Sequence, residues 1–170
     1  MEGMIAGRTA GDMPGLDIAE ERSWQNYLDS ALRLHATLNR SLMEAHHLSL
    51  NDVRLLDMLD KSPGGSARMG DLAAGLMSLP SRVTRQIRRL ELQSFVERGA
   101  SPDDGRGVLA IITDDGRIVV RTAMVTYAEG VRSHFLNRLS RPQIAAMGEN
   151  CRRISVALKA DAPRTKLGRV

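Results

Sequence analysis

Residues 79–91 read Leu79-Pro80-Ser81-Arg82-Val83-Thr84-Arg85-Gln86-Ile87-Arg88-Arg89-Leu90-Glu91, and residues 95–107 continue with Phe95-Val96-Glu97-Arg98 and then Ser101-Pro102-Asp103-Asp104-Gly105-Arg106-Gly107. At about 100° per residue, a helix here places Leu79, Val83, Ile87 and Leu90 on one stripe and Ser81, Arg85 and Arg88 opposite. Arg82, Thr84 and Arg89 lie on the flanks. The apolar stripe has to pack on neighbouring helices, which leaves the Arg/Ser face to solvent or to a partner. Ser78 is the expected N-cap, with Pro80 tolerated in the first turn. After this helix, Phe95–Arg98 and Val108–Thr113 read as two short strands, joined by a loop in which Pro102, Asp103, Asp104 and Gly105 are turn formers.

Working outward, two more helices precede this one. Ser49 with Asp52 three residues on forms a capping box for a helix carrying Val53, Leu56 and Leu59, which Ser62-Pro63-Gly64-Gly65 must end. Met69–Met77, with Leu72, Ala73 and Leu76 apolar, makes a short third helix. Further toward the N-terminus, a long helix begins at Asp17. Its residues Trp24, Leu28, Ala31, His35, Leu38, Leu42 and Ala45 repeat by four and three, a heptad stripe that faces either another helix of the chain or the same helix of a second copy.

On the other side of the hairpin, Thr113 is the expected cap of a long helix running to about Leu139 with Ile118, Thr122, Val125, Val131, Phe135 and Leu139. A last helix starts after Ser140, with Pro142 in its first turn and Ile144, Met147, Cys151, Ile154 and Leu158 as its stripe. The expected fold is mainly α with a small β-wing. Its parts are a flexible tail at 1–16, a terminal helix at 17–48, a central module at 49–113, two helices at 114–159 and a basic tail at 160–170, all one structural domain.

The bulk composition agrees with this. A chain of 170 residues, 42% hydrophobic and 26% charged, can bury one real core. Only 3% of residues are aromatic, so burial falls to Leu, Ile, Val, Met and Ala, which favours helices on helices over a sandwich. The single cysteine rules out an internal disulfide and suits a reducing compartment. There is no apolar run of about 18 residues and no charged start leading into one, so the expected location is the cytoplasm, with no membrane partner.

Other chemistries find little support. No Gly-rich phosphate loop, His-Glu-x-x-His pair or Gly-x-Ser-x-Gly elbow is present, so an enzyme is not expected and no cofactor is implied. Asp103-Asp104 and Asp114-Asp115 sit at a turn and at a helix start, where aspartate is expected for capping. His46 and His47 are adjacent and cannot share a helix face, His35 falls within an interface stripe, and Cys151 is expected to be a buried small hydrophobe. These readings leave a redox or metal sensor as a weak alternative.

In order and spacing, Leu72-Ala73, Ser81-Arg82-Val83-Thr84-Arg85 with Leu90-Glu91, Asp104-Gly105-Arg106-Gly107 and Ile112-Thr113-Asp114-Asp115-Gly116-Arg117 resemble the MarR family of winged helix-turn-helix regulators. The resemblance covers roughly residues 20–158. It departs at Gln93-Ser94, where the family usually has Gly, and at Ile112, where it has Leu. It implies a two-fold dimer made by the terminal helices, with the fourth helix of each copy in a major groove of double-stranded DNA and each wing in a flanking minor groove. A pseudo-palindromic operator follows.

On that reading Arg85 and Arg88 are candidates for guanine edges, and Ser81 and Thr84 let the helix approach closely. Arg82, Arg89 and Arg98 meet phosphates. Arg106 enters the minor groove, oriented by Asp104. Trp24, Tyr27 and Leu28 lie where the family commonly forms a pocket, so a small aromatic or phenolic effector there would release DNA from a repressor. An architectural DNA binder with no effector is the other alternative.

Overall fold

The structure, a computed structural model, describes residues 13–101 and 104–161, with side chains at 13–100 and 108–159. The expected tails at 1–16 and 160–170 therefore lie largely outside the described residues. The chain divides into two compact units, Met1–Gly130 and Val131–Val170.

The first unit opens with α1, Ile18–His46. Asp17 caps it, accepting from the amides of Ala19 at 2.8 Å and Glu20 at 2.9 Å, while Glu20 Oε2 accepts from the Asp17 amide at 2.9 Å. This capping box fixes where the helix starts. Of the heptad stripe, Leu38 and Leu42 are buried, whereas Trp24, Leu28, Ala31, His35 and Ala45 are exposed. Within the stripe, the chain covers residues only in the C-terminal half of α1, although Glu21, off the stripe near the start of the helix, is also buried.

Helix α2, Leu50–Lys61, carries the Ser49/Asp52 box that its sequence predicts. It ends at Ser62, and Gly64 (φ 64°) and Gly65 (φ 69°) then take the left-handed turn that glycine permits. A β-carbon on Gly65 would collide with the guanidinium of Arg117, which pairs with Asp60 of α2.

The turn delivers a strand the sequence reading missed, β1, Ser66–Arg68. With β2, Val96–Ser101, and β3, Asp104–Ile112, it makes an antiparallel sheet in the order β1-β3-β2, so the wing has three strands where two were expected. Three residues show no period, which is why β1 was invisible; pairing with Leu109, Ala110 and Ile111 defines it.

Helices α3, Met69–Gly75, and α4, Pro80–Leu92, lie between β1 and β2. The core is a cluster of fully buried side chains drawn from every helix of this unit, including Leu42, Leu56, Leu72, Ile87 and Val120.

Helix α5, Asp114–His134, begins at Thr113, whose Oγ1 accepts from the Gly116 amide at 3.0 Å and donates to the Ser94 carbonyl at 2.7 Å. Gly116 is so close to the Phe95 carbonyl that a side chain would not fit. The helix buries Gly116, Val120 and Ala123, not the predicted stripe, in which Ile118, Thr122 and Val125 are exposed. Both stripes repeat with helical spacing. The smaller residues allow close packing on the core, and periodicity does not distinguish the two.

α5 also stops five residues before the expected Leu139: Leu136–Arg138 form a 3-10 turn and Leu139 is extended, which frees Ser140 to start the next helix. In the second unit, α6, Arg141–Asp161, begins with the Ser140 amide donating to Gln143 Oε1 at 2.8 Å. Its residues Ile144, Met147 and Cys151 are half-buried and Ile154 and Leu158 are exposed. Cys151 is thus not the buried hydrophobe expected, because the α6 stripe is only partly covered.

Candidate nucleic-acid interface

Helix α4 is anchored by Val83, Ile87 and Leu90, each with no exposed surface. Leu79, the fourth residue of the predicted stripe, is 61% exposed, because it is the N-cap, with extended backbone (φ −69°, ψ 141°), and leaves the helical register. Ser78 is not the cap. Its amide donates to the Ala73 carbonyl at 2.9 Å and that of Met77 (φ 50°) to Ala74 at 3.1 Å, which closes α3 in a Schellman turn. The tight α3–α4 turn is therefore built from the backbone, and Pro80 supplies the first helical residue.

The other end of α4 uses the same device. Phe95 donates to the Leu90 carbonyl and Ser94 to the Glu91 carbonyl, both at 3.0 Å, with Ser94 left-handed at φ 62°. This is the physical meaning of the departure noted at Gln93-Ser94: the position demands a left-handed residue, and here serine adopts that conformation.

A buried carboxylate ties α4 to α2. Asp52 is 2% exposed, and its Oδ2 accepts from the Ser49 amide at 2.9 Å and the Ser49 hydroxyl at 2.6 Å. Its Oδ1 accepts from Gln86 Nε2 at 3.1 Å and from Arg89 Nη2. Sequence reading found Asp52 only as a helix cap. The pairing partners lie more than thirty residues away, so no local pattern shows them.

On the open side, Ser81, Arg82, Arg85 and Arg88 are exposed, and the half-buried Thr84 donates its hydroxyl to the Pro80 carbonyl at 2.9 Å. Arg89 is drawn toward Asp52, and Arg98 pairs with Glu91 at 3.2 Å, so two of the three predicted phosphate ligands have partners within the chain, and the third, Arg82, is exposed. A cleft of about 550 Å³ beside the helix is lined by Ser49, Asn51, Met77, Arg82, Arg85 and Gln86, among others. One residue on this face went unread: Leu92, 88% exposed.

The side chains of Asp104 and Arg106 lie outside the described residues. Their backbone belongs to β3, whose register with β2 shifts between Ala100, opposite Val108, and Ser101, opposite Asp104. Elsewhere, the rings of Trp24 and Tyr27 stand 5.9 Å apart at 35°, and both side chains, with Leu28, are exposed on α1. His46 Nε2 and Thr126 Oγ1 are 2.8 Å apart, which links α1 to α5. Among the described residues, no group of three or more His, Cys, Asp or Glu could hold a metal, and no helix is long and apolar enough to cross a membrane.

The MarR family model matches residues 48–108. No curated protein matches the chain. Among solved structures, a MarR family transcriptional regulator from Streptomyces coelicolor, crystallised with DNA, is 32% identical over 86% of this chain and 92% of its own, with a TM-score of 0.82. AbsC, another Streptomyces coelicolor regulator of the family, is 28% identical over 87% and 99%, with a TM-score of 0.81. BpsR of Bordetella bronchiseptica, whose DNA binding is regulated by 6-hydroxynicotinic acid, shares the fold at 19% identity over 88% and 98%, with a TM-score of 0.71. The winged helix built around α4 and these likenesses lead to one assignment: the chain belongs to the MarR family, whose members are transcriptional regulators and not enzymes.

Proposed function

We propose that this chain acts as a homodimer in the cytoplasm, binds a pseudo-palindromic operator in double-stranded DNA, and represses transcription until a small aromatic ligand releases it. The observation that carries the reading is the division of α4. Val83, Ile87 and Leu90 are wholly buried while Ser81, Arg85 and Arg88 stand free on the opposite face, beside a cleft that holds Arg82. A helix of this width fits the major groove, where Arg85 and Arg88 meet guanine edges and Ser81 and Thr84 permit close approach. Arg82, Arg89, Arg98 and the Asp104/Arg106 pair of the wing supply the phosphate and minor-groove contacts.

The uncovered residues Trp24, Leu28 and Leu32 on α1, and Ile154 and Leu158 on α6, support pairing of two copies, since isolated chains rarely leave so much apolar surface in water. Trp24, Tyr27 and Leu28 form the candidate effector contact.

The test is selection of bound oligonucleotides from a random pool, followed by a salt titration on the winning site and sedimentation of the protein. Two half-sites about 34–36 Å apart and a dimer are expected. A stable single chain, or no preference over a scrambled competitor, overturns the reading. Release of DNA by an aromatic acid, with 6-hydroxynicotinic acid in the panel, tests the ligand step.

A further inference from the structure

We propose that Leu92 is a specificity-determining residue that contacts the methyl group of a thymine in each half-site. The inference rests on the DNA reading above and adds to it a base that arginines do not select. At about 100° per residue, Ser81, Arg85, Arg88 and Leu92, spaced by four, three and four, fall within a sector of about 60°, nearly opposite Val83, Ile87 and Leu90. Leu92 is therefore the last residue of the same exposed stripe.

It is 88% exposed, the most exposed large apolar side chain among the described residues, on a helix whose Val83, Ile87 and Leu90 are fully buried. The Schellman turn holds it there: the bonds from Phe95 to Leu90 and from Ser94 to Glu91 fix the last turn of α4 and direct the chain away into β2. In the major groove the apolar group on display is the C5 methyl of thymine. A leucine among arginines thus has one complementary surface on the duplex that they face.

Position along the helix sets where that thymine lies. Leu92 is four residues beyond Arg88, about 6 Å along the axis. At about 3.4 Å per base step, the thymine lies about two base pairs from the guanine read by Arg88, toward the helix C-terminus.

The experiment takes the operator from the selection and replaces each candidate thymine by deoxyuridine, which deletes only the methyl. Binding of the full chain is compared with that of Leu92→Ala, a substitution on the surface that leaves the core untouched. Wild type should lose about four-fold per half-site at one position, the weight of one buried methyl-sized group, and Leu92→Ala should bind the thymine and deoxyuridine sites equally. Equal losses in both proteins, no loss in either, or an operator without thymine at that distance overturns the role of Leu92 while leaving DNA binding in place. A changed sedimentation mass for Leu92→Ala with unchanged base preference also overturns it, since the side chain would then be covering protein. Failure of wild type to prefer any DNA sinks the underlying reading instead.

Discussion

Ser94 sets the scale at which single side chains act in this molecule. A non-glycine residue in the left-handed region carries a cost of roughly 1–2 kcal/mol, and glycine in the unfolded chain gives back about half of the relief. Ser94→Gly is therefore expected to stabilise the protein by up to about 1 kcal/mol, a rise in melting temperature of about 2–4 °C, while Ser94→Ala gains nothing. Thermal denaturation of both variants checks this, and a lower midpoint for the glycine variant would refute it. The arginines proposed for α4 and for the wing are expected to act differently. Arg85 has no described ion pair and faces outward, so Arg85→Ala should weaken binding to the operator by about ten-fold or more and flatten the preference among related sites. Arg106→Ala should weaken binding to operator and scrambled DNA alike and reduce the salt slope by about one. Anisotropy titrations on two sequences at several salt concentrations separate these outcomes, and a specific loss for Arg106→Ala would exchange the two roles.

Helices and strands show where local sequence suffices and where it does not. The stripe Val83, Ile87 and Leu90, the Ser49/Asp52 box and the Thr113 cap all rest on spacings of four residues or fewer, and the structure has each of them. The exposed Arg face of α4 follows from the same arithmetic. What sequence could not show was anything settled by distant contacts. β1 exists because β3 pairs with it, α5 buries Val120 and Ala123 in place of Ile118 and Val125, and Leu79 leaves its stripe because the α3–α4 turn needs it as a cap. The link through Asp52 is the costliest of these omissions for function, since it sets how α2 and α4 meet. Removing a buried acceptor leaves its donors unsatisfied at about 1–3 kcal/mol, discounted here because the side chain of Arg89 is 56% exposed and can be solvated again. Asp52→Ala should therefore cost about 1–2 kcal/mol in urea unfolding and weaken operator binding beyond what stability explains. Arg89→Ala, which leaves Ser49 and Gln86 to satisfy the carboxylate, should cost less. If Asp52→Ala binds the operator as wild type does, the link is only a helix cap.

For the whole molecule, apolar surface left in water is the quantity that matters. The first unit closes its core around Leu42, Leu56, Leu72, Ile87 and Val120, yet it leaves Trp24, Leu28 and Leu32 uncovered on α1, and the second unit leaves Ile154, Val156 and Leu158 uncovered on α6. In the proposed dimer a second copy covers these residues, and mass action would then couple folding to protein concentration. Trp24 is the only tryptophan, so its emission reports on this surface alone. Diluting the protein through its dissociation range should shift that emission to the red as Trp24 becomes hydrated, and the melting temperature should fall over the same range. Leu28→Glu, which places a charge one turn from Trp24, should yield the red-shifted spectrum at every concentration and lose cooperative binding to the two half-sites while keeping weak contact with one. An emission maximum that stays constant from the highest concentration to the lowest, together with an unchanged mass for Leu28→Glu, would show that the N-terminal half of α1 faces solvent in the working molecule and that pairing, if it occurs, is made elsewhere.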